Sequence, residues 1–277
     1  MRAAGWYPDP FGRSPFRYWD GGGWTGYAGD GTAVGWDAAP VEAGPEVQVG
    51  LPGVGMAVVG VVVGFALAFG ISVALAAADK PGGRPALLGL SELGLWAGLV
   101  GACVVVSRRR GSGSLVEDFR FRFRWIDLGF GLAGSLVGRL VAGAVLIPIP
   151  FPSRSLTDVD RSVLRDGTHG TAAWVVLIVV TCVGAPLVEE LFFRGLLQTR
   201  LVTRFGPVIG IVVTSVLFGA AHLVAWNGPI TLAYGWSIAG GGLVLGTIRF
   251  YSGRLGTSIV AHAMFNAQAM LALAFLS

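Results

Sequence analysis

The stretch WVVLIVVTCVGAPLVEELFF, residues 174–193, decides how the rest of the chain is read. It lies in an apolar segment that starts near Ala172 and runs to about residue 203, longer than the roughly 20 residues a membrane helix needs. Yet Glu189 and Glu190 stand side by side in it, and Arg194 follows one turn later. On insertion scales each charge at a helix centre costs roughly 2.5–3.5 kcal/mol, so the trio needs partners or a task. Glu190 and Arg194 have the i,i+4 spacing and order that favour a salt bridge along a helix face. Glu189 is left without a local partner. Pro186 has no N–H to donate to the carbonyl of Cys182, which loosens the helix just before the pair. A loosened backbone beside a free carboxylate predicts a polar pocket rather than a lipid-facing surface.

Composition agrees with a membrane reading. The 277 residues are 53% hydrophobic and 13% charged, and the mean hydropathy is +0.68. These values place the chain among polytopic membrane proteins. The net charge of +4 is no sign of nucleic-acid binding, because the arginines gather at the edges of apolar spans. Cys103 and Cys182 both fall inside such spans, so neither a disulfide framework nor a cysteine metal site is expected. The start of the chain has no basic-then-apolar run, and no cleavable signal peptide is expected.

Apolar runs predict seven spans, near 54–78, 86–107, 126–149, 172–203, 207–225, 229–250 and 256–276. Glycines spaced by four (Gly60 and Gly64, Gly94 and Gly98, Gly206 and Gly210, Gly242 and Gly246) predict close helix packing. The connection after the second span carries Arg108, Arg109, Arg110, Arg120, Arg122 and Arg124, against Lys80 and Arg84 in the loop before it. The positive-inside rule then puts this loop and the N-terminus in the cytoplasm of a multi-pass cell-membrane protein. Arg200, Arg204, Arg249 and Arg254 fall on the same side, and the uncharged connection 225–229 on the other. The loop 150–171 runs against the rule with Arg154, Arg161 and Arg165, partly offset by Asp158, Asp160 and Asp166. Arg139 and Glu92, the remaining intramembrane charges, are expected to pair with each other or to reach an interface.

Ahead of the spans, residues 1–28 carry Trp6, Tyr7, Phe16, Tyr18, Trp19, Trp24 and Tyr27, punctuated by turn signals. They predict a small module of two or three short strands. Its pattern, GWYPDP at Gly5–Pro10, RYWDG at Arg17–Gly21, then Trp24 and Thr25, resembles a domain of unknown function found at the ends of bacterial membrane proteins. The module is read as packing on itself or as binding an unidentified partner. Residues 29–53, rich in Gly, Pro and Ala, predict a flexible linker. The fold class expected is therefore an all-α polytopic bundle over 54–277 with a β-rich aromatic module in front.

Two of the three histidines lie in spans, while His169 lies in a polar loop. His222 follows Phe218 by one helical turn, and His262 stands four residues before Asn266, which places those two side chains on one face. A turn at 205–207 separates Glu189 and His222 by roughly 16 residues each way, about 24 Å of helix, which predicts one depth for both. His262 lies only about 14 Å of helix from its own turn at Ser252 and Gly253, so it reaches that depth only if the Phe205 turn projects beyond the membrane surface.

EELFFR at Glu189–Arg194, FGAAH at Phe218–His222 and HAMFN at His262–Asn266 resemble the EExxxR, FxxxH and HxxxN/D motifs of the CAAX-protease and bacteriocin-processing (Abi) family of intramembrane proteases. The likeness covers a protease core of about 170–277. It implies an endopeptidase acting on a peptide or membrane-protein substrate in the lipid bilayer. Glu189 with His222 would activate water, and His262 with Asn266 would hold the oxyanion. Glu190, Arg194 and Phe218 would support them. A zinc ion on His222, His262 and Glu189 is the metal alternative, although HExxH is absent. A catalytically silent immunity or scaffold protein and an ion-coupled transporter are the competing functions.

Overall fold

A computed structural model describes residues 3–20, 22–37, 52–77, 84–148, 171–223 and 229–276. The chain divides into two compact units, Met1–Val47 and Gln48–Ser277.

The first unit is an antiparallel meander of β1 (Gly5–Pro8), β2 (Phe16–Trp19), β3 (Trp24–Gly29) and β4 (Val34–Trp36), in that order. Trp6 faces Tyr18 across the first pair, and a register shift in β2 brings Trp19 opposite Trp24. The aromatic rings meet edge to face, at 5.5 Å for Trp6 with Tyr18 and 5.1 Å for Tyr27 with Trp36. Such pairs add to the area they bury. The centre of the unit is ionic, however. Arg17, fully buried, gives Nε to Asp9 at 2.8 Å and Nη2 to Asp37 at 2.5 Å, with Nη1 on the carbonyls of Thr25 and Asp37. The sheet therefore continues past residue 28 to take in β4, eight residues into the stretch read as linker. Residues 38–51 of that stretch lie outside the described residues.

The second unit is helical: α1 (Pro52–Ala77), α2 (Arg84–Arg110), a short α3 (Leu115–Asp118), α4 (Ile126–Ala144), α5 (residues 171–205), α6 (Pro207–Ala221), α7 (Pro229–Ser252) and α8 (Leu255–Leu276). Apart from α3, each of these helices overlaps one of the seven expected spans. Five contain stretches long and apolar enough to cross a membrane, while α6 is a shorter apolar helix. The burial pattern is the reverse of a water-soluble core. Val58, Val62, Phe69, Leu140 and Val208 point outward, whereas Glu190, Arg194, Gln198, Thr214, Ser258 and His262 are buried. That is the arrangement lipid selects, with polar groups facing the bundle interior.

Glycines set the helix contacts. A Cβ at Gly98 would meet the backbone of Gly60 and Gly64, so α1 and α2 touch main chain to main chain. On α7, Gly242 lies against Arg194 and Phe218, and Gly246 against Gln198. Helix ends follow local chemistry. Gly206 takes a positive φ (84°) and its N–H closes on the Val202 carbonyl, after which Pro207 starts α6. The loop between α3 and α4 is stitched to the start of α8. Leu255 N–H donates to Arg120 O at 3.0 Å and Gly256 N–H to Arg122 O at 3.1 Å. Asp127, buried at the start of α4, accepts from Arg254 and from Thr257 Oγ1.

Candidate active site

The helix α5 is irregular where the chemistry is. Its hydrogen bonding widens to π-helical turns over Val180–Gly184, returns to α over Ala185–Glu189, and widens again over Glu190–Gln198. Pro186 is the local cause expected from the sequence, and π turns recur at functional positions because they displace side chains from the regular 3.6-residue face. The effect is to turn Glu190–Gln198 wholly inward.

Glu190 is held at both sides. Its Oε1 lies 3.0 Å from Arg194 Nη1 and 3.0 Å from His262 Nδ1. The i,i+4 pair read from the sequence is therefore present, and it is joined by an imidazole from α8. Arg194 also sits over the Phe218 ring, 4.1 Å from its centroid, and reaches the Gly242 carbonyl at 3.4 Å. One turn on, Gln198 Nε2 donates to Gly246 O at 2.9 Å. Thus Arg194 and Gln198 dock α5 onto consecutive turns of α7. Gln198 was not picked out by the sequence reading; its signal was a polar residue in an otherwise apolar helix, four after Arg194.

Glu189 stands on the other side of the same imidazole. Its Oε2 lies 3.9 Å from His262 Nε2 and has no hydrogen-bond partner in the protein. No ion pair or hydrogen bond joins Glu189 to His222. His222 caps the end of α6, where its Nδ1 bonds the Phe218 carbonyl at 2.8 Å. Because a carbonyl only accepts, Nδ1 carries the proton and Nε2 of a neutral ring carries the lone pair. Phe218 sits between the two histidines, its ring centroid 4.8 Å from His222 and 5.6 Å from His262. Asn266 gives Nδ2 to the Thr181 carbonyl at 2.8 Å, inside the first π turn. His262 and Asn266 thus share the face of α8 that meets α5.

One expectation changes. Arg139 does not serve Glu92; its guanidinium stacks on the Phe265 ring at 4.0 Å and bonds the Phe265 carbonyl. For the zinc alternative, His262 bonds Glu190 through Nδ1 and His222 bonds a carbonyl through Nδ1, which leaves Nε2 of each ring as the nitrogen a metal would use. Among the described residues no three His, Cys, Asp or Glu side chains stand together as a metal site. No step below is routed through a metal. His169 lies outside the described residues.

An outward-apolar helical bundle thus encloses a carboxylate–imidazole–carboxylate array with an amide at its edge. Residues 171–268 match the family model described as Type II CAAX prenyl endopeptidase Rce1-like, so the resemblance read from the three motifs holds over the segment that carries them. Residues 4–33 match a domain of unknown function, DUF2510. No curated protein and no solved structure matches the chain significantly.

Proposed function

We propose that the chain is an intramembrane endopeptidase in which Glu189 is the general base. One observation carries the assignment of the base. Oε2 of each carboxylate lacks a hydrogen-bond partner, but Glu190 is fully buried and paired through Oε1 with Arg194 and His262, whereas the Glu189 side chain keeps 13% exposure and faces only His262, at 3.9 Å. A base must have a lone pair to offer the water it deprotonates, and Glu189 has one.

The other roles follow from hydrogen-bond polarity. His222 presents the Nε2 lone pair, which can accept the second proton of the attacking water and orient it. The bond between His262 Nδ1 and Glu190 fixes the ring, and with a proton on Nε2 that nitrogen donates to the oxyanion that forms on the substrate carbonyl. Asn266 has one amide proton on Thr181 O and a second available for the same oxygen. The proton taken by Glu189 passes to the leaving amine, which closes the cycle without a covalent intermediate. The matched family is described as acting on CAAX prenyl substrates; the substrate proposed here is coarser, a peptide segment that enters the bundle.

Quantitative proteomics of membrane peptides from cells carrying wild-type protein or Glu189→Ala tests this reading. The expected result is an uncleaved precursor that accumulates only in the variant. Identical peptide sets in the two membranes would remove the protease assignment and favour a silent scaffold.

A further inference from the structure

The helix α2 lies outside the segment that matches the protease family, and it carries no motif. It nevertheless forms a wall of the site. Trp96 packs its six-membered ring on Gly184 so closely that a Cβ there would overlap Cη2 and Cζ3, and Cys103 Sγ reaches the Leu191 carbonyl at 3.9 Å. The same 88-residue offset recurs in both contacts, so α2 and α5 run side by side in one direction. That register sets Glu92, one turn before Trp96 on the same face, beside Val180 and Thr181. The widened turns of α5, with Asn266 on one side, therefore have Glu92 and Trp96 on the other.

Trp96 Nε1 is buried and has no hydrogen-bond partner. A buried indole N–H normally finds an acceptor, because leaving the donor unmade costs about 1–3 kcal/mol. Gly184 holds the ring in this position, five residues before Glu189. Resting on the peptidase reading, we propose that Trp96 is a substrate-binding residue, its Nε1–H donating to a backbone carbonyl of the peptide drawn up to Glu189. An extended peptide supplies such carbonyls whatever its side chains, so this contact serves affinity rather than sequence selection.

The test measures KM and kcat on the precursor that accumulates with Glu189→Ala, using full-length purified protein. Trp96→Phe removes the donor and keeps an aromatic ring. Replacing Trp96 alone by its benzothienyl isostere, with sulfur where the N–H was, keeps the shape as well. Leu93→Val, on the exposed face of α2, is the control expected to match wild type. Both Trp96 variants are expected to raise KM about fivefold with kcat within about twofold and melting temperature unchanged, the effect of one neutral hydrogen bond made equally before and in the transition state. An unchanged KM for the isostere overturns the Trp96 assignment, as does a loss confined to kcat or to melting temperature. Absence of turnover by the wild-type protein overturns the peptidase reading itself, and with it this inference.

Discussion

Glu189 and Glu190 are neighbours in sequence and opposites in environment. One is tied to an arginine and a histidine, the other faces the same histidine without a bond. Their amide variants should therefore fail in different ways. Glu189→Gln is expected to abolish turnover and leave the melting temperature nearly unchanged, since Gln keeps the shape but cannot take a proton. Glu190→Gln strips the charge from a buried pair and is expected to destabilise the bundle by about 3–5 kcal/mol. Initial rates and thermal melts of the two purified variants decide it; an active Glu189→Gln protein would transfer the role of base to Glu190. The Glu190–Arg194 pair was legible because four residues along one helix fix who meets whom. The His262–Glu190 bond was not, because the partners are 72 residues apart and only the packing of α8 on α5 brings them together. The same limit explains why Glu189 was matched to His222 at equal depth, whereas the imidazole it faces is His262.

At the scale of elements, the spans could be read directly, since lipid demands length and apolarity and the sequence displays both. The α2–α1 glycines could be read too, because a missing side chain at four-residue spacing has little other use. The π-helical turns of α5 could not, beyond the hint from Pro186, because a widened turn leaves no periodic signature. The N-terminal sheet gives a sharper lesson. Its aromatic residues advertise strands, yet its interior is an arginine between two aspartates, one of which lies just beyond the residues that look like the module. The hydrogen bond from Arg17 holds the Asp9 carboxyl at about 2, against the usual 3.8, with backbone N–H groups of Phe11, Ser14 and Arg13 assisting and desolvation opposing. A carboxylate held low in the folded state contributes stability that is complete above its unfolded value and is lost as pH falls through its folded one. Residues 1–47 expressed alone should keep their near-UV tryptophan signal down to about pH 4 and lose it toward about pH 2. In Asp9→Asn this acid transition should be weakened and the stability at neutral pH lower. A signal that is flat to pH 2 in the wild-type unit would show that the ionic core contributes nothing to it.

Over the helical unit, the arginines that follow α2, those in the last turns of α5 and those that flank the start of α8 collect at one end of the bundle, where Arg120 and Arg122 bond α8 and Arg254 bonds Asp127. We propose that this end is cytoplasmic, with residue 1 on the same side and residue 277 on the other. Reporter fusions before residue 1 and after Ser277 check the orientation; an external signal from the first would reverse it. The fusion belongs before residue 1, since a break near residue 28 would cut β3. The one basic loop that opposed this orientation, with Arg154, Arg161 and Arg165, lies outside the described residues. The stitching of α8 to the loop before α4 has a further consequence. The height of His262 is measured from backbone bonds at Leu255 and Gly256, about 10 Å away along the helix, and not from the surrounding lipid. A thicker or thinner bilayer is met first by tilt of the bundle as a body. The distance between the imidazole and its two carboxylates is thereby insulated from membrane thickness.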